Sequence, residues 1–338
     1  MEKKKIAVVG MGKIGLFHLS ILRNLPQVEI AALADPKPSA QGTVKGMGLD
    51  LPFYDSVKKM LDEVPVDGLF ACVPPAFNKK IAEGCAARGI SLFLEKPMAA
   101  SLADAQAILD CAAKASGKIT TAVGFMVAYF PLFLKARELL IEGAIGEIKY
   151  YSSSMLLGEV FQKQEGWRQN PKISGGGAVA VLGSHLLYLL QAYFGMPKKI
   201  QAKVTKLFSG VEDIARARLD HGPFSGDFHV SWSEKGYSDM ALDIKIEGTK
   251  GNIDVTETSL ELHGAHNQAW YPWDFPKDNS SFIQIQQQGF TAQDEDFVSA
   301  LGTGRQVRAP WSEGLKVQRL IEGIYRAAEK PGESISLP

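Results

Sequence analysis

The first 120 residues alternate short apolar runs with stretches of helical period. "KIAVVG", "VEIAALAD", "VDGLFACVP", "SLFLEKP" and "KITTAVGF" are rich in Val, Ile, Leu and Ala without clean alternation, the pattern of strands covered on both faces. Between them Ile14–Asn24, Ser56–Glu63, Lys79–Arg88 and Leu102–Ser116 carry helical spacing. Strand–helix repetition of this kind predicts a doubly wound parallel sheet. After Gly124 the pattern changes. A helix over Pro131–Glu142 and a strand in "GEIKYYSSSMLLGE" precede a second helix at about Gly177–Phe194. Then "KIQAKVTKLF", "DIARARLD", "FSGDFHVSWS" and "DMALDIKIEGTKGNIDVTETSLELHG" follow as strands, joined by turns such as Gly222-Pro223 and Lys250-Gly251. Short connections predict antiparallel pairing. A helical pair, about Thr291–Gly302 and Ser312–Glu329, completes the pattern.

A chain of 338 residues exceeds what one hydrophobic core serves, so two domains are expected, 1–123 and 124–338, in an α/β protein. Lys and Arg total 37, as do Asp and Glu, so bulk charge points to neither nucleic acid nor an acidic membrane. Cys72, Cys85 and Cys111 form no CxxC pair, which argues against a disulfide framework or zinc site and for a reducing, cytoplasmic setting. The apolar run in "MEKKKIAVVG" is too short for a secretory signal and is interrupted by glycine. The stretch Ala178–Phe194 contains Ser184, His185 and Gln191 and reads as a buried helix rather than a membrane span.

"VVGMGKIG" sets Gly10, Gly12 and Gly15 in G-x-G-x-x-G spacing, after an apolar strand and at the opening of a helix that includes Lys13 and Ile14. Asp35 ends the second strand, 20 residues after Gly15. The combination predicts a dinucleotide site: glycines for a tight turn and close backbone approach, helix N–H groups for the pyrophosphate, and Asp35 for the ribose hydroxyls. The Asp35 charge favours NAD, while Lys37 in "DPKPS" leaves NADP open. Further cofactor contacts are expected where later parallel strands end. Val73, Pro74, Pro75 and Asn78 lie in "CVPPAFN", and Glu95 and Lys96 in "FLEKPMA". Asn78 serves equally as a cap for the helix from Lys79. The Glu95–Lys96 pair reads either as a surface ion pair or as an ammonium placed to hydrogen-bond a reacting oxygen. His18, on the first helix, is expected to pack against its neighbours. His221, His229, His263 and His266 show no metal-ligand spacing, so no metal is expected.

"VVGMGKIG", "EKP" at 95–97, "IEGAIGEI", "GWR…SGGG…GSH" at 166–185, "GTKGNI" and "DEDFVSALGTGR" together resemble the Gfo/Idh/MocA oxidoreductase family along essentially the whole chain. The resemblance implies an N-terminal Rossmann domain and a C-terminal α+β domain with a large open, mainly antiparallel sheet that makes a homo-oligomer interface. It also implies that Lys96 is the catalytic lysine, that His185 is the acid/base, and that Trp167 and Arg168 lie near the substrate. Family members mostly oxidise or reduce a hydroxyl or carbonyl of sugars, inositols and related polyols. Others act on dihydrodiols or tetrapyrroles, and one branch hydrolyses glycosides with bound NAD.

The chain departs from the family pattern on its substrate side. Val181 and Leu189 stand where acids flank the histidine in relatives, and "GFMVAYFPLF" is almost wholly apolar. On a regular helix, positions 181 and 185 share a face, so valine removes a carboxylate that would orient the imidazole. Met126, Tyr129 and Val181 then predict a less polar substrate than a free polyol: an aromatic or partly apolar alcohol or ketone, or a nucleotide-linked or acylated sugar. The same side chains are equally compatible with plain core packing. Besides an NAD(P)-dependent dehydrogenase, two alternatives stay open: a cofactor-binding sensor with eroded catalysis, and an NAD-assisted glycosidase.

Overall fold

Strands buried on both faces need helices above and below, and the N-terminal part of the chain is built that way. The structure is a computed structural model that describes residues 3–274 and 282–337. Six strands, β1 (Lys4–Val9), β2 (Val28–Ala34), β3 (Phe53–Tyr54), β4 (Gly68–Ala71), β5 (Ser91–Leu94) and β6 (Thr121–Val123), pair in the order β3-β2-β1-β4-β5-β6, all parallel. Helices α1 (Lys13–Leu22), α2 (Pro38–Gly46), α3 (Val57–Glu63), α4 (Asn78–Ala86) and α5 (Leu102–Ala113) supply the crossovers. The strand order reverses between β1 and β4, so the ends of those strands, at Val9 and Ala71, frame the switch point where ligands of such sheets bind.

The second sheet has nine strands: β7 (Ile148–Leu156), β8 (Lys199–Thr205), β9 (Ile214–Asp220), β10 (Ser225–Ser231), β11 (Ala241–Gly248), β12 (Asn252–Thr256), β13 (Leu260–His263), β14 (Gln268–Trp270) and β15 (Ile335–Ser336). Its order is β14-β13-β12-β11-β7-β10-β9-β8-β15. Period-two burial is clear in β9, where Ala215, Ala217 and Leu219 are buried and Arg216 and Arg218 exposed. The pairing is antiparallel except between β7 and β10, which run parallel. The chain between those two strands passes through α7 (Pro171–Ser174), α8 (Ser184–Phe194), β8 and β9, the long crossover that parallel pairing requires. The remaining helices are α6 (Pro131–Ile141), α9 (Phe282–Ala300) and α10 (Trp311–Ala328). Two helix assignments change. The helix expected over 177–194 is an α8 preceded by a π-turn at Val179–Gly183, and α9 begins nine residues before the expected Thr291.

The chain forms two compact units, one of residues up to Gly124 with Phe290–Leu315, the other of Phe125–Gly289 with the residues from Lys316. The continuous second domain expected over 124–338 is therefore interrupted. The reason is apolar burial: Phe297, Val298, Ala300, Leu301 and Val307 complete the first unit's core beside Ile6, Val8, Phe70 and Phe93. Phe297 meets the Phe70 and Phe93 rings edge-on at 5.2 and 5.8 Å between centroids.

Candidate active site

In the first unit the glycine turn joins β1 to α1. Gly10 has φ +86°, and a Cβ there would meet the Cys72 carbonyl, while a Cβ on Gly15 would collide with the Gly10 carbonyl. Beside Gly12, by contrast, a Cβ would have nothing within 4 Å. Gly12 is also the N-cap of α1 and no side chain caps the helix, so its leading N–H groups are left for an anion. Lys13 is exposed and Ile14 half-buried on that first turn. Asp35 is half-buried at the end of β2, its Oδ2 accepting from the Met11 N–H at 2.8 Å and its Oδ1 from the Lys37 N–H at 2.8 Å. Each carboxylate oxygen keeps lone-pair capacity for a ribose hydroxyl. Open space at Gly12, an uncapped helix and an anchored acid fit a dinucleotide.

Val73 and Pro74 are half-buried after β4, and Pro75 is buried at the start of a short 3₁₀ turn. The expected capping role of Asn78 is not the one observed. Its side chain makes no cap bond, and Nδ2 donates instead to the Met98 carbonyl at 3.1 Å, bracing the segment after "EKP". Asn78 Oδ1 is buried with no protein partner among the described residues. Lys96, half-buried, stands two residues beyond the end of β5, and its N–H donates to Glu95 Oε2 at 3.2 Å. The ion-pair reading of this dipeptide meets a different arrangement: the Glu95 carboxylate is buried and directed to the protein interior, where His18 Nε2 lies 3.2 Å from Oε1.

His18 was expected only to pack, and the sequence carries no sign of its partners. It is fully buried, with Nδ1 3.0 and 2.8 Å from the two oxygens of Asp294, a residue 276 positions away. Burial alone would lower the imidazole's pKa. The Asp294 charge and hydrogen bond, helped by Glu95, outweigh it and raise His18 to about 10. Burial raises Asp294 to about 6, with the His18 charge opposing it. The arrangement sets the imidazole between two acidic side chains, and the raised His18 pKa favours its protonated form.

In the second unit α8 is buried along nearly its whole length and packs on β7 and on the 3₁₀ turn Met126–Tyr129. His185 is 4% exposed, its ring edge-on to Phe125 at 6.3 Å, and Phe125 stacks on Tyr188 at 4.8 Å. Met126 is buried and Tyr129 half-buried beside it. Val181 is half-buried while residues 176–180 and 182–190 are all buried, so the valine is the least covered residue of the turn. Val181 N–H still bonds the Gly177 carbonyl at 2.9 Å, but the π-turn widens the helix just before His185, a local irregularity common at functional sites.

Sequence reasoning also missed Glu212. Its buried carboxylate accepts from the N–H groups of Gly177 and Val179 at 2.9 and 3.0 Å and from the Tyr325 hydroxyl at 2.7 Å. A carboxylate from another element thus caps the turn that leads to His185. Burial raises the Glu212 pKa, restrained by the Tyr325 bond and the two N–H donors. Trp167 and Arg168 stand on an exposed 3₁₀ turn next to α7. The guanidinium stands over the indole at 5.7 Å and pairs with Glu159 at 3.5 Å. Among the described residues no cluster of His, Cys, Asp or Glu is arranged for a metal.

Residues 4–123 match the family model described as "Oxidoreductase family, NAD-binding Rossmann fold", and residues 133–254 match the "GFO/IDH/MocA C-terminal domain". The chain belongs to the Gfo/Idh/MocA oxidoreductase family. Its first unit is the family's NAD-binding Rossmann fold, and its mixed second sheet is of the α/β type found in structural neighbours. Among family relatives, the rhizopine catabolism protein MocA of Rhizobium meliloti is 26% identical over a match that spans 55% of each chain, about half of either. D-apiose dehydrogenase of Paraburkholderia graminis is 22% identical over 100% of this chain and 90% of its own. A solved levoglucosan dehydrogenase in complex with NADH superposes with a TM-score of 0.90 at 17% identity, covering 100% of both chains, which shows a shared fold.

Proposed function

We propose that this Gfo/Idh/MocA protein is an NAD-dependent dehydrogenase that interconverts a secondary alcohol and a carbonyl on a sugar, polyol or related compound. The observation that carries the reading is Lys96. It stands at the carboxyl end of β5, in the sheet whose switch point bears the open glycine turn and Asp35, and its backbone is tied to a buried Glu95. The naming of relatives as sugar dehydrogenases supports the same substrate class.

Gly10, Gly12, Lys13, Ile14 and Gly15 would hold the pyrophosphate and Asp35 the adenosine ribose, with Val73, Pro74, Pro75 and Asn78 bordering the nicotinamide half. When bound, the nicotinamide supplies the hydride acceptor or donor. Lys96 donates a hydrogen bond to the reacting oxygen and stabilises its alkoxide character. His185 takes the hydroxyl proton in oxidation and returns it in reduction. Asp35 favours NAD, since a 2′-phosphate would meet its negative charge. Met126, Tyr129 and Val181 give the substrate an apolar flank, which favours an anhydro, acylated or nucleotide-linked sugar over a free polyol. Trp167 and Arg168 form an exposed cation–aromatic pair suited to an outer part of such a substrate. A turnover screen at the nicotinamide absorbance, over sugars of graded polarity, tests the reading.

A second reading, a cofactor-binding protein without turnover, is favoured by Val181 in place of a carboxylate. It predicts NADH binding with no hydride exchange for any substrate in the same screen.

A further inference from the structure

We propose that His18 is a positioning residue for Lys96: bridging Glu95 and Asp294 as an imidazolium, it clamps the end of β5 and so fixes the turn that carries the lysine. The inference rests on the reading of Lys96 as the group at the reacting oxygen.

The chain of contacts is continuous within the first unit. His18 Nδ1 engages both oxygens of Asp294, on α9, and Nε2 engages Glu95 Oε1 at 3.2 Å. The other Glu95 oxygen accepts the Lys96 N–H, also at 3.2 Å. A Cβ on Gly124, beside the end of β5, would overlap Glu95 Oε1, so the glycine leaves the carboxylate its space. His18 belongs to α1, the helix that starts at the glycine turn, so the same side chain joins the phosphate-binding helix to the lysine turn.

The surroundings make the charge matter. Phe70, Phe93 and Phe290 ring the imidazole at 5.2 to 5.5 Å between centroids, which excludes water. The ionisable groups that face it are Asp294 from α9 and Glu95 from the end of β5. Glu295, also on α9, acts on Asp294, and Cys72, after β4, lies within the field of both carboxylates. A neutral ring donates through one nitrogen only and cannot serve both acids. Without the cation two buried carboxylates face each other, and Glu95 must turn outward, taking the Lys96 backbone with it. A misplacement of about 1 Å at a group that acts on the reacting atom costs about a hundredfold in rate while binding persists.

The test uses the NAD-loaded full chain labelled with ¹³C at lysine Cε, the Lys96 resonance being assigned by its loss in Lys96→Met. His18→Gln keeps one hydrogen bond and removes the charge, and Asp294→Asn is the nearly isosteric alternative should His18→Gln not fold. The expected result is a shifted or broadened Lys96 resonance, kcat lower by about ten- to a hundredfold, and a KM for NAD within about threefold of wild type. A Lys96 resonance unchanged in position and width in a folded variant overturns the clamp, whatever happens to turnover, and leaves the dehydrogenase reading standing. A displaced resonance with unchanged kcat supports the clamp and removes Lys96 from the chemistry. In the wild type, a ¹⁵N spectrum showing a neutral His18 ring at pH 7 also overturns it.

Discussion

Asp35 Oδ2 accepts a hydrogen bond from the Met11 N–H at 2.8 Å, so the acid that ends β2 reaches back to the glycine turn that ends β1. One side chain thus anchors the glycine turn and holds its own charge at the end of β2, where the proposed adenosine ribose would lie. Asp35→Ser retains a short acceptor for Met11 and removes the charge. Its expected effect is a preference for NADPH over NADH changed by more than about tenfold, or about 1.4 kcal/mol, read by fluorescence titration of each nucleotide. An unchanged ratio would show that Asp35 does not face the ribose.

Gly15 has no room for a methyl group against the Gly10 carbonyl. Gly15→Ala should therefore lose NADH binding by at least about tenfold while the second unit's fold is retained. Gly12→Ala meets no protein atom, so any loss of NADH affinity in that variant reads the cofactor's approach directly.

Tyr325 and Glu212 brace the turn before His185. Tyr325→Phe removes one charge-assisted hydrogen bond and should cost about 1.5–3 kcal/mol in urea unfolding. Glu212→Ala strands the Gly177 and Val179 N–H groups as well and should cost more. Equal midpoints for both variants and wild type would contradict a capping role.

Stability should fall on the alkaline side of neutrality. His18 rises from 6.5 to about 10 in the folded chain, so its contribution is complete below about pH 6.5 and is lost as pH climbs to about 10. Asp294, raised from 3.8 to about 6, titrates mostly below this window, so the His18 proton dominates the change within this pair. The slope attributable to it approaches about 1.4 kcal/mol per pH unit in that window. His18→Phe should flatten the difference, and parallel urea profiles for variant and wild type between pH 7 and 10 would rule it out.

Val181→Asp places a carboxylate at the least covered position of the turn before His185. The expected outcome is a shift of kcat/KM toward free polyols by at least about tenfold relative to apolar-flanked sugars. No change in the ratio would put Val181 away from the substrate.

Much of this was legible in the chain. The runs at Lys4–Val9 and Gly68–Ala71 announce doubly covered strands because burial on both faces leaves no polar alternation, and Gly10, Gly15 and Asp35 declare themselves by spacing. Other features depend on contacts that sequence does not display. Helix α2, "PSAQGTVKG", has two glycines and little apolar period and went unseen. The Phe290–Leu315 segment joins the first unit because Phe297 packs edge-on against the stacked pair Phe70 and Phe93, residues far earlier in the chain. For the same reason His18 looked like simple packing: its two partners are 77 and 276 positions away. The π-turn before His185 opens on N–H groups held by Glu212, a residue just before β9, and no local pattern signals that contact.

The most direct test of the account is the rate of nicotinamide reduction by wild type and Lys96→Met over one panel of anhydro, acylated, nucleotide-linked and free sugars, with NADH binding measured alongside. The expected outcome is NADH formation from at least one sugar, a loss of at least about a hundredfold in the variant, and NADH affinity within a few-fold of wild type. An equal rate in Lys96→Met, or NADH binding with no reduction from any sugar in the panel, would contradict it.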